Sequence, residues 1–419
     1  MVKEKELNDL RLLGEEQIEQ ILKDKLNDPE EQEKYKEELL TAYLNINDVL
    51  KKYCDLKEEY YNIISLWIIG TYFHEFFPSF PYLYINATKG SGKTRLLKLV
   101  TFLSKDGELL NSLTEAVLFR SKGTLGIDEF EGISRKGNEA LRELLNSAYK
   151  RGTRVKRMKK VKGEKGEEQT VEVFDVYRPI AIANIWGMEE VLGDRCISLV
   201  LERSPKNEIT NLIEMFEYEN IVTETKLILQ NLSKKGTENK PNRCSLCRCS
   251  YYLELYKNWN NYVIGNYTNS TNTTNTTNYT NYTHLFEKLK FSHISGRDLE
   301  LSFPLLLVSN EIGEIETTLS TLSKIVEERR EEDVTENKDI LLIDFVSQEK
   351  EGSGFDTIRS TLKNFKGFIQ SDEDWINEKW LGRALKRLNL IVQKRRRSFG
   401  TEIILNITKA KEKIKIFKR

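Results

Sequence analysis

Apolar positions recur at helical spacing near the start of the chain. Ile18, Ile21 and Leu22 fall on one face of the segment 15–26. Asp28-Pro29 interrupts the pattern, because proline lacks an amide donor and clashes with the preceding turn. A second helix is predicted over 30–44, with acidic residues in excess up to Glu38, which reads as a solvated face. The most apolar run, 63–80, is broken by Gly70, His74, Glu75 and Pro78. A bilayer span takes about 20 cleaner apolar residues, so the run predicts a buried helix and a turn, and residues 1–78 a helical N-terminal region.

From Tyr82 the period changes. Tyr82-Leu83-Tyr84-Ile85 is a short aromatic and β-branched strand, followed by a glycine-rich turn and a helix carrying Leu96, Leu97, Leu99 and Val100. Further buried strands are predicted at 125–127, 179–183 and 197–201, with a helix over 139–151 between them. Strands alternating with helices over 79–205 predict an α/β core with a mostly parallel sheet. The chain reads helical again over 206–338, apart from the Asn-, Thr- and Tyr-dominated tract 266–283, which offers little to bury and predicts a loop. The last segment, 339–419, reads as three helices and a two-stranded hairpin.

The turn after the first strand carries the chemistry. Ala87-Thr88-Lys89-Gly90-Ser91-Gly92-Lys93-Thr94 is the P-loop pattern with alanine in place of its first glycine. Gly90 and Gly92 let main-chain N–H groups turn inward around phosphate oxygens. The helix N-terminus adds partial positive charge. Lys93 suits the β- and γ-phosphates of ATP, and the Thr94 hydroxyl suits Mg²⁺. Asp128, after the strand 125–127, suits the Mg²⁺ shell, and its neighbour Glu129 suits the polarisation of an attacking water. Asn184 ends the 180–183 strand, where a neutral amide would help hold that water. Arg195 precedes the next strand, placed to reach the phosphates of a neighbouring subunit.

This order of P-loop, Asp128-Glu129, Asn184 and Arg195 resembles an AAA+-type ATPase. More narrowly, 60–205 resembles the helicase-like ATPases of phage, plasmid and archaeal mobile-element replication proteins, relatives of the minichromosome-maintenance and superfamily 3 helicases. The stretches Thr124-Leu125-Gly126-Ile127-Asp128-Glu129, Glu143-Leu144-Leu145-Asn146-Ser147-Ala148-Tyr149-Lys150-Arg151-Gly152 and Arg178-Pro179-Ile180-Ala181-Ile182-Ala183-Asn184 carry the likeness, with a later one at Gly296-Arg297-Asp298-Leu299-Glu300-Leu301. The resemblance implies a P-loop NTPase core, a helical lid over 206–338 and a homo-oligomeric ring with Arg195 acting in trans. It also implies that Arg297 is the lid-helix arginine that senses the γ-phosphate.

Charge adds two surfaces. The totals, 65 Lys+Arg against 65 Asp+Glu, cancel, which rules out a uniformly basic coat protein and a uniformly acidic tail. Yet 150–165 holds nine cations and one acid. β-like stretches flank Lys162-Gly163-Glu164-Lys165-Gly166, predicting a basic hairpin over 150–177 with Arg154, Lys156, Arg157, Lys159, Lys160 and Lys162 as DNA-backbone contacts. In the helicases named above a hairpin in this place projects into the ring channel. Residues 376–419 hold 14 cations and three acids. There Trp380, Leu381, Ala384, Leu385 and Leu388 form an inward stripe, with Arg383, Lys386 and Arg387 largely opposite. Lys394, Arg395, Arg396 and Arg397 then sit in a hairpin, so 339–419 predicts a winged-helix DNA-binding domain, with a protein-contact winged helix as the alternative. Cys244-x-x-Cys247 with Cys249 offers part of a Zn²⁺ site, but no second pair follows at finger spacing. Five cysteines and no N-terminal apolar leader predict a cytoplasmic protein with free thiols and no membrane partner.

These readings converge on an ATP-hydrolysing DNA motor of the replicative-helicase type, with ATP and Mg²⁺ as cofactors and single-stranded or forked DNA as partner. The alternatives are a non-motor, ATP-dependent DNA-binding initiator or regulator, and an inactive scaffold, which the intact loop and acid pair oppose.

Overall fold

The computed structural model describes residues 29–128, 139–163, 166–184, 188, 190–234, 248–264, 276–292, 294–336, 338–350, 354–371, 373, 375–397 and 400–417. Helix α1 (Pro29–Tyr53) starts at the proline that interrupts the sequence pattern, since the first helical turn needs no donor from that residue. It runs past the predicted end at 44 because Ile46, Val49, Leu50 and Tyr53 continue its buried face. Helix α2 (Glu58–Phe73) is buried on every side over Tyr60–Phe73 and is a core helix, as the apolar run predicts. Its polar atoms are answered internally: Trp67 Nε1 donates to the Pro81 carbonyl at 2.9 Å and the Tyr72 hydroxyl to that of Leu103 at 3.0 Å. Burying each such large side chain contributes about 1.5–3 kcal/mol.

The core is α/β. Strands β1 (Tyr82–Ala87), β2 (Glu108–Leu110), β3 (Leu125–Ile127), β6 (Ile180–Asn184) and β7 (Cys196–Leu201) form one parallel sheet in the order β2-β3-β6-β1-β7. Helices α3 (Lys93–Leu103), α4 (Glu115–Arg120) and α5 (Glu139–Ala148) lie between its strands in sequence. Helix α3 passes β3 so closely that a Cβ on Gly126 would stand 2.0 Å from Thr101 Oγ1. Between β3 and β6 the chain inserts an antiparallel pair, β4 (Arg154–Gly163) and β5 (Gly166–Asp175), whose register closes at Gly163 opposite Gly166.

Beyond the sheet come α6 (Asn220–Lys234), α7 (Arg248–Val263), α8 (Thr276–Phe291), α9 (Arg297–Ile312) and α10 (Ile315–Glu336). Helix α8 corrects the loop expected over 266–283, for the described residues from Thr276 on. Leu285, Phe286 and Leu289 are buried, Trp259 of α7 packs on Phe286, and the helix extends back from that anchor into the Asn/Thr tract.

The chain divides into two compact units, 1–322 and 323–419, so the division falls within α10 rather than at 339. The second unit holds α11 (Lys338–Gln348), β8 (Asp356–Thr357), α12 (Ile358–Ile369), α13 (Glu378–Arg387), β9 (Ile391–Arg397), β10 (Gly400–Leu405) and α14 (Ile407–Phe417). Three helices and a hairpin match the sequence expectation. The terminal helix α14 and the short strand β8, which makes a three-stranded sheet in the order β8-β10-β9, do not appear in it. The core of this unit joins Leu342, Phe365, Leu381, Leu385, Ile403 and Ala410. Among the described residues, no helix is long and apolar enough to cross a membrane.

Candidate functional site at the carboxyl edge of the sheet

Parallel α/β sheets bind ligands outside the carboxyl ends of their strands, and Lys93, Thr94, Asp128 and Asn184 gather there. β1 ends at Ala87, and the chain turns through 88–92 into α3. Gly90 and Gly92 stand at φ +82° and +86°, a conformation that other residues rarely adopt, and a Cβ built on either meets nothing within 4 Å. The loop is thus an open cradle of main chain. Ser91 Oγ donates back to the Thr88 carbonyl at 2.8 Å and steadies it from within, while Thr88 and Lys89 are exposed.

Asp128 follows β3 two strands away and is 8% exposed. Its Oδ1 receives Lys93 Nζ at 2.7 Å and its Oδ2 the Thr94 hydroxyl at 2.7 Å. Lysine, threonine and aspartate therefore form one cluster from two elements far apart in sequence. Asn184, buried, lies at the same edge, in register with Asn86 of β1. Glu129 lies outside the described residues. The Thr94 hydroxyl and the Asp128 carboxylate are hard oxygen donors that already share a contact, the donor chemistry that suits Mg²⁺.

Arg195 and Arg297 lie elsewhere, together. Arg195 precedes β7, and its carbonyl accepts from the Tyr82 amide at the amino end of β1. Its Nε donates to the Asn146 carbonyl at 2.8 Å and its Nη1 to that of Val191. The Arg195 guanidinium stands 5.4 Å from the centre of the Tyr149 ring, and that of Arg297, the first residue of α9, stands 5.8 Å from the same ring. Both cations are thus at the sheet end opposite the glycine loop, about 20 Å away over six residues of strand. Nothing local in the sequence relates Tyr149 to either arginine.

The basic hairpin is rooted by stacking and charge. Phe174 stacks on Phe119 of α4 at 5.0 Å, and Arg157 lies 5.2 Å from the Phe119 centroid with its Nη2 2.5 Å from Glu115. Arg157 is therefore engaged at the root. Arg154 and Lys156 are exposed, as are Met158, Val171 and Val173. The backbone of Lys159, Lys160 and Lys162 runs in β4, and their side chains are outside the described set. At the hairpin exit, the buried Arg178 donates to the carbonyls of Ser121, Val176 and Asp175, and burial depresses its pKa below the usual arginine value.

In the second unit, two of the predicted DNA contacts are taken by carboxylates of that unit. Arg387 makes a bidentate pair with Asp339 at 2.6 and 2.7 Å. Arg395 pairs with Glu402 and lies 3.6 Å from the Phe355 centroid. Arg383, Lys386, Lys394, Arg396 and Arg397 are exposed, with Arg397 at 4.0 Å from Glu402. Cys244 and Cys247 lie outside the described residues, as does the side chain of Cys249. Among the described residues no group of three or more His, Cys, Asp or Glu side chains is disposed to hold a metal. No family model matches the chain, and no curated protein matches it.

Proposed function

We propose that this protein is a P-loop ATPase of the AAA+ type that acts on DNA as a replicative-type helicase motor. The observation that carries the reading is the joining of Lys93, Thr94 and Asp128 within 2.7 Å behind a loop whose two glycines hold positive φ.

In this reading the amides of 88–92 and the start of α3 cradle the β-phosphate, and Lys93 leaves Asp128 to lie between the β- and γ-phosphates. Thr94 and Asp128 would hold the Mg²⁺, which when bound neutralises charge on the triphosphate. Glu129 takes a proton from the attacking water, and Asn184 orients that water by hydrogen bonding. Arg195 and Arg297, at the far end of the sheet, act on the nucleotide of the adjacent subunit in a ring. The basic hairpin contacts the DNA backbone without reading sequence. The second unit, read as a winged helix, docks duplex through Arg383, Lys386, Lys394, Arg396 and Arg397.

The test is Mg²⁺-dependent ATP hydrolysis by the full chain, with and without single-stranded and forked DNA. The expected outcome is turnover that DNA stimulates and Lys93→Ala abolishes. Turnover that neither DNA stimulates removes the motor. Stimulation without strand displacement on a fork favours the non-motor initiator.

A further inference from the structure

The basic hairpin and the arginine pair share a root. The chain reaches the hairpin through residues 149–151, which run antiparallel to 78–80, the segment that leads into β1. The Tyr149 carbonyl accepts from the Phe80 amide at 2.9 Å, Lys150 bridges to Ser79, and the Arg151 amide donates to the Pro78 carbonyl at 2.9 Å. Gly152 then turns at φ +92°, with open space where a Cβ would stand, and β4 begins two residues on. The returning strand is fastened too. The Tyr177 hydroxyl lies 2.9 Å from the His74 carbonyl and 3.1 Å from that of Phe77, and the Arg178 amide donates to the Ala148 carbonyl at 3.2 Å.

The side chains of the entry root meet the arginines. The buried Tyr149 ring has the Arg195 guanidinium at 5.4 Å and that of Arg297 at 5.8 Å, both within the ~6 Å reach of a cation–π contact. Two like charges repel, and the negative ring face offsets that repulsion. Next along the chain, Lys150 Nζ lies 2.8 Å from Glu300 Oε1, and Ser79 Oγ donates to the Glu300 carbonyl at 3.3 Å. Glu300 stands three residues past Arg297 in α9, so the two share a face of that helix. Two consecutive residues at the hairpin root therefore touch both arginines and the helix that carries one of them.

Building on the motor reading above, we infer that Tyr149 and Lys150 are positioning residues that couple the hairpin to the arginine pair: DNA held on the hairpin sets where Arg195 and Arg297 stand, and so how fast the adjacent subunit's nucleotide is hydrolysed. β4 and β5 are paired from Arg154–Asp175 to Gly163–Gly166, so the ribbon moves as one piece and its displacement arrives at the root. At 177–178 that displacement meets bonds to main-chain carbonyls, whereas at 149–150 it meets the arginines and α9. The Lys150–Glu300 pair, with side chains 52% and 29% exposed, carries at most about fivefold. The two ring contacts of Tyr149 together carry about tenfold.

The experiment measures ATP turnover by the full chain without DNA and at saturating forked DNA, with DNA affinity measured in parallel. Glu300→Gln is decisive, because it breaks the pair and removes no cation. Its stimulation by DNA is expected to fall by about two- to fivefold, with basal turnover unchanged and DNA affinity no weaker than wild type. Lys150→Met is expected to share that fall, and the double variant to fall no further than Glu300→Gln, since one pair is lost once. Tyr149→Phe keeps the ring face and is expected to match wild type. Tyr149→Leu keeps only apolar bulk and is expected to lose about tenfold in kcat, with KM for ATP unchanged because the phosphate loop lies at the other end of β1. Wild-type stimulation in Glu300→Gln overturns the coupling, as does a weakening of its DNA binding that accounts for the loss. A further fall in the double variant removes the Lys150–Glu300 link, and equal losses in Tyr149→Phe and Tyr149→Leu remove the ring. A wild-type chain whose turnover DNA does not stimulate refutes the motor reading itself, and the coupling with it.

Discussion

Replacing Asp128 by asparagine separates two roles of one carboxylate. The pair with Lys93 is closed to solvent, with both side chains 12% exposed and 2.7 Å between the charges. Asparagine keeps the shape and accepts from Thr94, but leaves the Lys93 ammonium without a counter-charge. Removing one partner of a buried pair costs about 3–5 kcal/mol. The residual exposure puts this case at the lower end, about 3 kcal/mol, or a fall in Tm of roughly 4 °C for a unit of this size. A bound triphosphate supplies the missing charge. It no longer competes with Asp128 for Lys93, so metal-free ATP binding is expected to equal or exceed that of the wild type. Thermal melting in EDTA, with and without ATP, measures both: a lower starting Tm and a larger upward shift on adding nucleotide. On the ATPase reading, hydrolysis in Mg²⁺ is expected to be lost, because the carboxylate that would hold the Mg²⁺ is gone. An unchanged Tm together with weaker metal-free ATP binding would refute the argument that Asp128 holds Lys93 in reserve.

Arg195→Ala and Lys93→Ala are each expected to be inactive alone and to regain measurable ATPase when mixed, because mixed interfaces join an intact loop to an intact arginine; no recovery removes the action in trans. Lys394→Glu with Arg396→Glu is expected to weaken duplex binding and flatten its salt dependence by about two units of log–log slope, whereas Arg387→Gln mainly lowers the stability of the second unit by losing Asp339. Burial lowers the His74 pKa to about 4, against the pull of Thr71 and Glu75 and with the push of Lys105 and Arg178, so the unfolded chain binds more protons between about pH 4 and pH 6.5. Stability therefore falls as pH drops through that window, by about 1 kcal/mol from pH 7 to pH 5.5, and denaturant titrations of His74→Gln are expected to lack this slope. Gly126→Ala is expected to destabilise by about 1–3 kcal/mol, read by the same titrations, since its Cβ would collide with Thr101.

The strands of the sheet interior were legible because their runs are continuously apolar. Tyr82–Ala87 and Ile180–Asn184 lie between neighbours on both sides, so nearly every side chain is buried and the sequence says so. β2 was not legible, because an edge strand of three residues, Glu108–Leu110, buries almost nothing and shows no pattern. The glycine loop announced itself by spacing, and its partner Asp128 by position after a strand. The Tyr149 cluster and the Lys150–Glu300 pair did not, since each joins residues that meet only through the tertiary fold. The cations of the second unit are plain in the sequence, but that two of them meet carboxylates is not, because Asp339 and Glu402 come beside Arg387 and Arg395 only through the fold.

Tyr149 gives the arginine pair an unusual genetics. On the ring reading, one aromatic ring fixes two cations that serve the subunit next door. A lesion at this position would leave its own subunit able to bind ATP and silence the neighbour instead. In a mixed ring each such copy would cost one site, as each loss of Lys93 does, but the silent site would lie in the subunit next door, whose own sequence is intact.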